Sequence, residues 1–312
     1  MTNQIKGYIG IDVGKKWLDI AEWGVKTPWR VTNDEKGVVE IISHVRGLDP
    51  QLIAVEATGG YEQAVVRAML LGNLPVAVVN PTRVRALAKA TGKLAKTDVI
   101  DAGLIAEYAF KIQPNTQAPK EDNELRLKAL VTRREQLVEM HTAEQNRLGT
   151  VHDSLQADIQ AHLDWITTRI LELELQVKEL LDCLPEWKAQ AELLDTIPGV
   201  GLITAVTVVA DMPELGQLDR QKVAALAGLA PFNRDSGKKQ GRRRIFGGRK
   251  GVRRVLYMAC VSGIKCNPVI QTLYLRLRTK GKPFKVAITA CMRKMLSIMN
   301  AMARDQAPWA TK

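Results

Sequence analysis

Residues Gly7–Trp23 read "GYIGIDVGKKWLDIAEW". Two short runs of apolar, strand-favouring residues flank a Gly-Lys-Lys turn, which predicts two strands joined tightly, with Asp12 near the end of the first. The segments that follow settle how this pair is used. "QLIAVEAT" (Gln51–Thr58) and "PVAVVN" (Pro75–Asn80) are further short apolar runs, each succeeded by a helical pattern. Helices are predicted over about Tyr61–Leu71, Pro81–Thr91 and Asp98–Lys111. Pro81 suits a first helical turn, where its missing N–H is not needed. Residues 1–112 are therefore expected to form an α/β domain. "QPNTQAPKED" (Gln113–Asp122) breaks the pattern and reads as a linker.

Beyond the linker the periodicity changes. From Glu121 to Leu184 there is no proline and a single glycine, Gly149. Ile159, Leu163, Ile166, Ile170, Leu173, Val177, Leu180 and Leu184 follow one another at alternating steps of four and three, the a/d seam of a coiled coil. Gly149, followed by Asp153 and Ser154, supplies a stop and then caps. Residues 121–184 are thus expected to fold as a helical hairpin whose seam packs on itself or on another subunit, with spacing and oligomerisation as its role. Residues 185–312 are expected to be a mostly α domain. In it, "LDTIPGVGLITAVTVVAD" (Leu194–Asp211) matches a helix-hairpin-helix. Gly199 and Gly201 would let its turn approach a phosphate, and the next helix start would offer free N–H groups; an ordinary αα-turn is the alternative. The stretch Pro283–Arg304 reads as an amphipathic helix with a basic face and a structural role.

The bulk composition narrows the partners. The 312 residues suffice for two domains with cores of their own. A net charge of +12 points to a polyanion. No run approaches the length of a spanning helix and the N-terminus lacks the layout of a signal peptide, so no membrane is expected and the expected address is the cytoplasm. Cys183, Cys260, Cys266 and Cys291 form no C-x-x-C pair, which makes zinc a poor fit and reduced, buried thiols the expectation.

Two sets of residues carry chemistry. In the first, Asp12 and Glu56 each end a predicted strand, while Asp98 and Asp101 lie three apart on one side of a predicted helix. A carboxylate ending an apolar strand is costly to bury unpaired. Four that converge repel one another, and divalent cations relieve that repulsion. Their oxygen donors suit Mg²⁺ or Mn²⁺. Each residue alone has a plainer use: Asp98 as a helix cap, Glu56 beside Arg83. Taken together, the set resembles that of RNase H-like nucleases of the RuvC type over about the first 110 residues.

The second set lies in "APFNRDSGKKQGRRRIFGGRKGVRR" (Ala230–Arg254), which holds one serine, Ser236, and one acid, Asp235, among ten lysines and arginines. The cations are Arg234, Lys238, Lys239, Arg242, Arg243, Arg244, Arg249, Lys250, Arg253 and Arg254. They are expected to bind nucleic acid. Arginines and lysines here would stabilise charge on a phosphoryl group in flight. A free hydroxyl needs activation before it attacks. On spacing alone, Ser236 as nucleophile and Ser236 as a phosphate-binding hydroxyl both stand.

"GIDVGKKWLDIA", "VEATGGYE", "KTDVIDAGLIAEYA", "IPGVGLITA" and "LAGLAPFNRDSGKKQGRRRIFGGRKGVRRVLYMAC" occur in this order. Together they closely resemble the DEDD-type insertion-sequence transposases, insertion-sequence family one-ten, which include Piv-type DNA invertases. The resemblance spans nearly the whole chain. It implies a metal-binding tetrad at Asp12, Glu56, Asp98 and Asp101 and a nucleophilic serine at Ser236. It also implies recombination of double-stranded donor and target DNA through a phosphoserine link, and a structured non-coding bridge RNA that pairs with both. Work as a homo-oligomer, dimer to tetramer, follows as well, with sites composed from two subunits. Two other functions fit the residues taken alone: a RuvC-like nuclease in which water attacks, and a non-enzymatic basic nucleic-acid-binding protein.

Overall fold

The structure, a computed structural model, describes residues 7–93, 98–119, 121–232 and 243–310, and of residues 98–100 the backbone only. Residues 1–120 and 121–312 form two compact units.

The first unit is a five-stranded mixed sheet with helices on both faces. Its strands are β1 (Tyr8–Val13), β2 (Trp17–Glu22), β3 (Trp29–Thr32), β4 (Leu52–Glu56) and β5 (Val76–Val79), in the order β3-β2-β1-β4-β5. β1, β2 and β3 pair antiparallel, as the tight turn at Gly14–Lys16 requires; β4 and β5 run parallel to β1. The parallel connections are made by α1 (Glu35–Gly47) and α2 (Gln63–Leu71), followed by α3 (Pro81–Ala90) and α4 (Asp98–Ile112). The helix starts are built as the sequence suggests. Asp34 caps α1 by accepting from the Gly37 N–H at 2.9 Å, and Asn80 caps α3 ahead of Pro81.

Alternation along each strand divides the core in two. Ile9, Ile11, Leu18, Ile20, Ile53 and Val55 pack beneath α1 and α2, while Tyr8, Leu52, Ala54, Ala77 and Val79 pack with α3 and α4. A glycine sets the depth of α4. A methyl at Gly10 would lie 2.2 Å from the Ala106 nitrogen and 2.3 Å from the Ala102 oxygen, so only a residue without a side chain lets this helix lie on β1. The segment expected to be a linker is partly tied back to this unit: the Gln117 N–H donates to the Val76 carbonyl at 2.8 Å, and Gln113 Nε2 donates to the Tyr8 hydroxyl.

The second unit is helical apart from one two-stranded ladder. α5 (Asp122–Leu148) and α6 (Gln156–Asp182) fold back on each other, with Gly149 capping the end of α5. The heptad seam turns inward: Leu163, Ile166, Leu173, Val177 and Leu180 are buried, with Leu127, Val131 and Leu137 of α5 facing them. Antiparallel pairing brings Arg134 to Glu174 at 2.6 Å and Glu144 to His162 at 3.5 Å. Leu127, Val131, Val177, Leu180 and Leu184 continue into the core of the later helices, α7 (Pro185–Asp195), α8 (Leu202–Asp211), α9 (Arg220–Leu226), α10 (Lys250–Cys266), α11 (Pro268–Thr279) and α12 (Phe284–Asp305). The buried Asn300 fastens α12 to the chain ahead of α9, accepting from the Gly216 N–H and donating to the Leu218 carbonyl.

The cysteine expectation needs correction. All four thiols are free, but only Cys260 and Cys291 are buried; Cys183 and Cys266 are exposed, because they fall at the ends of α6 and α10 instead of on a packed face. Burial raises both inner thiols, Cys291 up to about 11, which keeps them protonated and inert. Among the described residues no helix is long and apolar enough to cross a membrane.

Candidate active site

The acidic set is positioned by the α4 side of the sheet. Gly10 faces α4, and Asp12, two residues on, projects from the same face. Gly10 pairs with Ala54 on β4, so Glu56, two residues beyond Ala54, ends its strand on that face as well. α4 lies over it and contributes Asp101, which is buried and accepts from Arg85 Nη2 at 3.0 Å. Asp98 opens this helix, but its side chain lies outside the described residues. Among the described residues no group of three or more His, Cys, Asp or Glu is gathered tightly enough to hold a metal ion. Three of the four expected carboxylates thus share one sheet face.

Several residues around this face were not singled out by sequence reasoning. Asp19 stands directly across from Asp12 in the β1–β2 pairing. Like charges in that relation repel. Arg30 on β3 answers with two bonds to Asp19, at 2.8 and 2.9 Å, and its guanidinium lies 5.8 Å from the Trp17 ring centre. Asp19 occupies an inward position of "WLDIAEW", which is the cue the sequence offered. Asn33 spans the two loops that leave the acidic strands, donating from Nδ2 to the Gly14 carbonyl at 2.9 Å and to the Tyr61 carbonyl at 3.2 Å. Glu62 orders the loop after Glu56: its Oε2 accepts from Thr58 Oγ1 at 2.8 Å, from the Gly60 N–H at 2.8 Å and from the Thr58 N–H at 3.2 Å. Burial pushes the Glu62 carboxyl up, but these bonds outweigh it and hold it below its ordinary value. Farther along α4, Glu107 is buried between Lys93 and Lys111, at 2.8 and 2.7 Å. Burial raises it, and the bonds from Lys111 and Lys93 more than reverse the effect.

In the second unit the basic segment springs from a short ladder. β6 (Pro231–Phe232) pairs antiparallel with β7 (Arg244–Ile245), Pro231 opposite Ile245 and Phe232 opposite Arg244. Ser236, Arg234, Asp235, Lys238, Lys239 and Arg242 lie between these strands and outside the described residues. Below the ladder the chain is locked by glycine contact. A methyl on Gly248 would meet the Gly228 nitrogen at 2.1 Å, and both glycines have positive φ, +72° and +71°.

The ten cations divide. Arg243, Arg244 and Lys250 are exposed. Arg249 is held by Glu214 through two bonds at 2.6 and 2.7 Å, Arg253 donates to the carbonyls of Ala227 and Gly247, and Arg254 is paired with Glu139 and lies 3.9 Å from Glu135. These three arginines fasten the base of the hairpin to its own unit. The two glycines of the α7–α8 turn divide in the same way. Gly199 (φ +93°) abuts α10, where a methyl would lie 2.8 Å from the Gly263 backbone, and Asn267 Nδ2 donates to the Pro198 carbonyl beside it. Gly201 faces open space.

Residues 9–155 match the model of a transposase family, the DEDD transposases of IS110 type, and residues 191–275 match the transposase IS116/IS110/IS902 family. The "Pilin gene-inverting protein" of Moraxella lacunata is 33% identical over 320 aligned residues, covering 97% of this chain and 98% of that protein. The chain belongs to the IS110-type transposase family. Its counterpart in Moraxella bovis, under the same name, is also 33% identical over 97% of this chain and 98% of its own length. The "Transposase for insertion sequence element IS1111A" of Coxiella burnetii is 25% identical over 265 residues, 74% of this chain and 70% of that protein. This transposase is accordingly a DNA transposase or recombinase, an enzyme of phosphoryl transfer. The family matches fall on both units, so the acidic face and the basic hairpin both belong to it.

Proposed function

We propose that this transposase cuts and rejoins double-stranded DNA through a covalent serine intermediate, with a structured bridge RNA choosing the donor and target sequences. The observation that carries the reading is the shared sheet face of Asp12, Glu56 and Asp101, residues 89 positions apart at their extremes, in a chain that also carries the arginine-rich segment of Ser236. The sheet order, three antiparallel strands followed by two parallel to the first, supports an RNase H-like, RuvC-like assignment for residues 1–112. The α7–tight turn–α8 arrangement supports a helix-hairpin-helix within residues 185–312, with the hairpin of residues 121–184 as spacer.

Hard oxygen donors from two strands and one helix on a single face fit Mg²⁺ or Mn²⁺, and Asp12, Glu56, Asp98 and Asp101 would hold it. The ion would supply charge neutralisation at the scissile phosphate. Arg85, now on Asp101, moderates the repulsion among these carboxylates. The Ser236 Oγ attacks phosphorus. The bond from phosphorus to the 3′ oxygen breaks, that oxygen takes up a proton as a free hydroxyl, and the 5′ phosphate stays on the serine. The 3′ hydroxyl of a partner strand then attacks the phosphoserine and restores the Ser236 hydroxyl. Arg243 and Arg244, exposed at the ladder, stabilise charge on the phosphoryl group as it moves. An assembly of two to four copies brings the acidic face and the hairpin to the same phosphate. Aromatic residues make up 5% of the chain, little for base stacking, which suits a protein that takes its sequence choice from a paired RNA.

Denaturing gels test the serine. Wild type should leave protein on the 5′ end of cut DNA, and Ser236→Ala should bind DNA without forming the adduct. An adduct that survives in Ser236→Ala excludes the serine, and nicking by that variant would return the water-attack nuclease. Asp12→Asn should lose strand cleavage with Mg²⁺ present, and undiminished cleavage in excess EDTA would exclude the metal.

A further inference from the structure

From Ser236 to Arg304 the chain has no aspartate or glutamate, yet it carries 18 of the 45 lysines and arginines. The remaining residues set 27 cations against all 33 acids, so the protein's entire excess of positive charge arises in this one stretch. On α10 the fold answers it: acids from α5 and from the segment after α8 reach Arg249 and Arg254, and backbone carbonyls take Arg253. At the turn between α11 and α12 no acid among the described residues does so. Arg276, Arg278, Lys280, Lys282 and Lys285 are all exposed, and among the described residues none joins an ion pair.

Fold stability does not account for all five. Arg276 and Arg278 stand in the last turn of α11, where a cation suits the helix dipole. Lys285 stands in the first turn of α12 and Lys282 just ahead of it, where the dipole disfavours positive charge. The turn is nonetheless built firmly. Arg278 Nη1 donates to the Lys282 carbonyl at 2.8 Å, Gly281 takes φ +72°, and Tyr274 meets Phe284 edge to face at 6.2 Å. A rigid platform of mutually repelling cations gains from a polyanion that lies across it.

We propose that the α11–α12 turn, with Lys280, Lys282 and Lys285 at its centre, is a second nucleic-acid surface, on elements other than those of the Ser236 hairpin, and that it holds the sugar-phosphate backbone of duplex DNA. The family's activity supplies DNA. The two partly exposed rings, Tyr274 and Phe284, pack edge to face on each other, which leaves little of the stacking surface that unpaired strands require. Contacts of this kind fix position without reading bases.

Lysine acetylation of the full chain followed by mass spectrometry tests the site without any substitution. A duplex of about 40 base pairs should protect Lys280, Lys282 and Lys285 several-fold and leave Lys128, which is paired with Asp211, unchanged. The K280Q/K282Q/K285Q variant, with an unshifted melting temperature, should lower the slope of log affinity against log salt by about 2–3, the value for three lost phosphate contacts. Absence of protection, an unaltered slope, or protection by structured RNA or by phosphatidylserine vesicles but not by duplex DNA would overturn the proposal. Ser236→Ala should give the same protection as wild type, so failure of the serine mechanism would leave this result untouched.

Discussion

The two units treat charge in opposite ways. In the first, acids are buried and cations come to them: Arg30 to Asp19, Arg85 to Asp101, Lys93 and Lys111 to Glu107. In the second, arginines are the fixed points and acids come to them, as Glu214 does to Arg249 and Glu139 to Arg254, while the cations of α11 and α12 remain outward. A sheet face that must present carboxylates needs neighbouring cations to keep it folded. A helical unit that must present cations needs only enough acid to tether its hairpin. The contrast is the one the proposed chemistry asks for, in which the first unit would hold a metal ion and the second would meet phosphate.

The contrast can be broken most severely through the glycines. Gly10→Ala drives a methyl into the α4 backbone and should cost about 3 kcal/mol or more, seen as loss of the first unit's cooperative melting. Gly201→Ala in the second unit meets open space and should shift the melting temperature little. Next comes Glu107→Gln, which removes a buried acceptor from two lysines and should cost about 1–3 kcal/mol at neutral pH. Because the folded carboxyl sits below its ordinary value, its stabilisation is full above that value and is lost as pH falls through the folded one. The wild type–variant difference should therefore shrink in acid; a difference that grows would refute the assignment.

Glu214→Ala loosens the hairpin of the second unit. The pair is partly exposed, so the stability cost should be about 1 kcal/mol, with a larger effect on proteolytic nicking between Phe232 and Arg243. Asn33→Ala should cost about 1 kcal/mol by freeing two carbonyls, and it should slow cleavage more than it weakens DNA binding, since it frees the loops that leave Asp12 and Glu56. The smallest effect is chemical. A thiol reagent should titrate Cys183 and Cys266 in the folded protein, and Cys260 and Cys291 only after unfolding.

Local pattern revealed most of the architecture. The strand runs, Pro81 as a first-turn residue and the a/d seam of α6 are set by period and backbone chemistry, which are visible in single segments. What pairs across distance was not visible. Asp19 reads as an ordinary strand residue until the register sets it against Asp12, and Asn33 reads as a loop residue until it is seen to join Gly14 to Tyr61. Nor did a count of cations reveal that Arg249, Arg253 and Arg254 serve the fold, because their partners come from elements 26 to 115 residues distant or from backbone carbonyls. Nor did the turn sequence reveal that Gly199 lies against Gly263 of α10.

The α5–α6 pair has a consequence for the surface of the second unit. Each helix is 27 residues long and so reaches about 40 Å, anchored at one end by Leu127 and Leu181 and turning back at Gly149. Such an outrigger closes its zipper within one polypeptide. Outside that seam Trp165, Leu171 and Leu175 stay exposed on α6, so the arm holds its own two helices together and still shows apolar side chains to its surroundings.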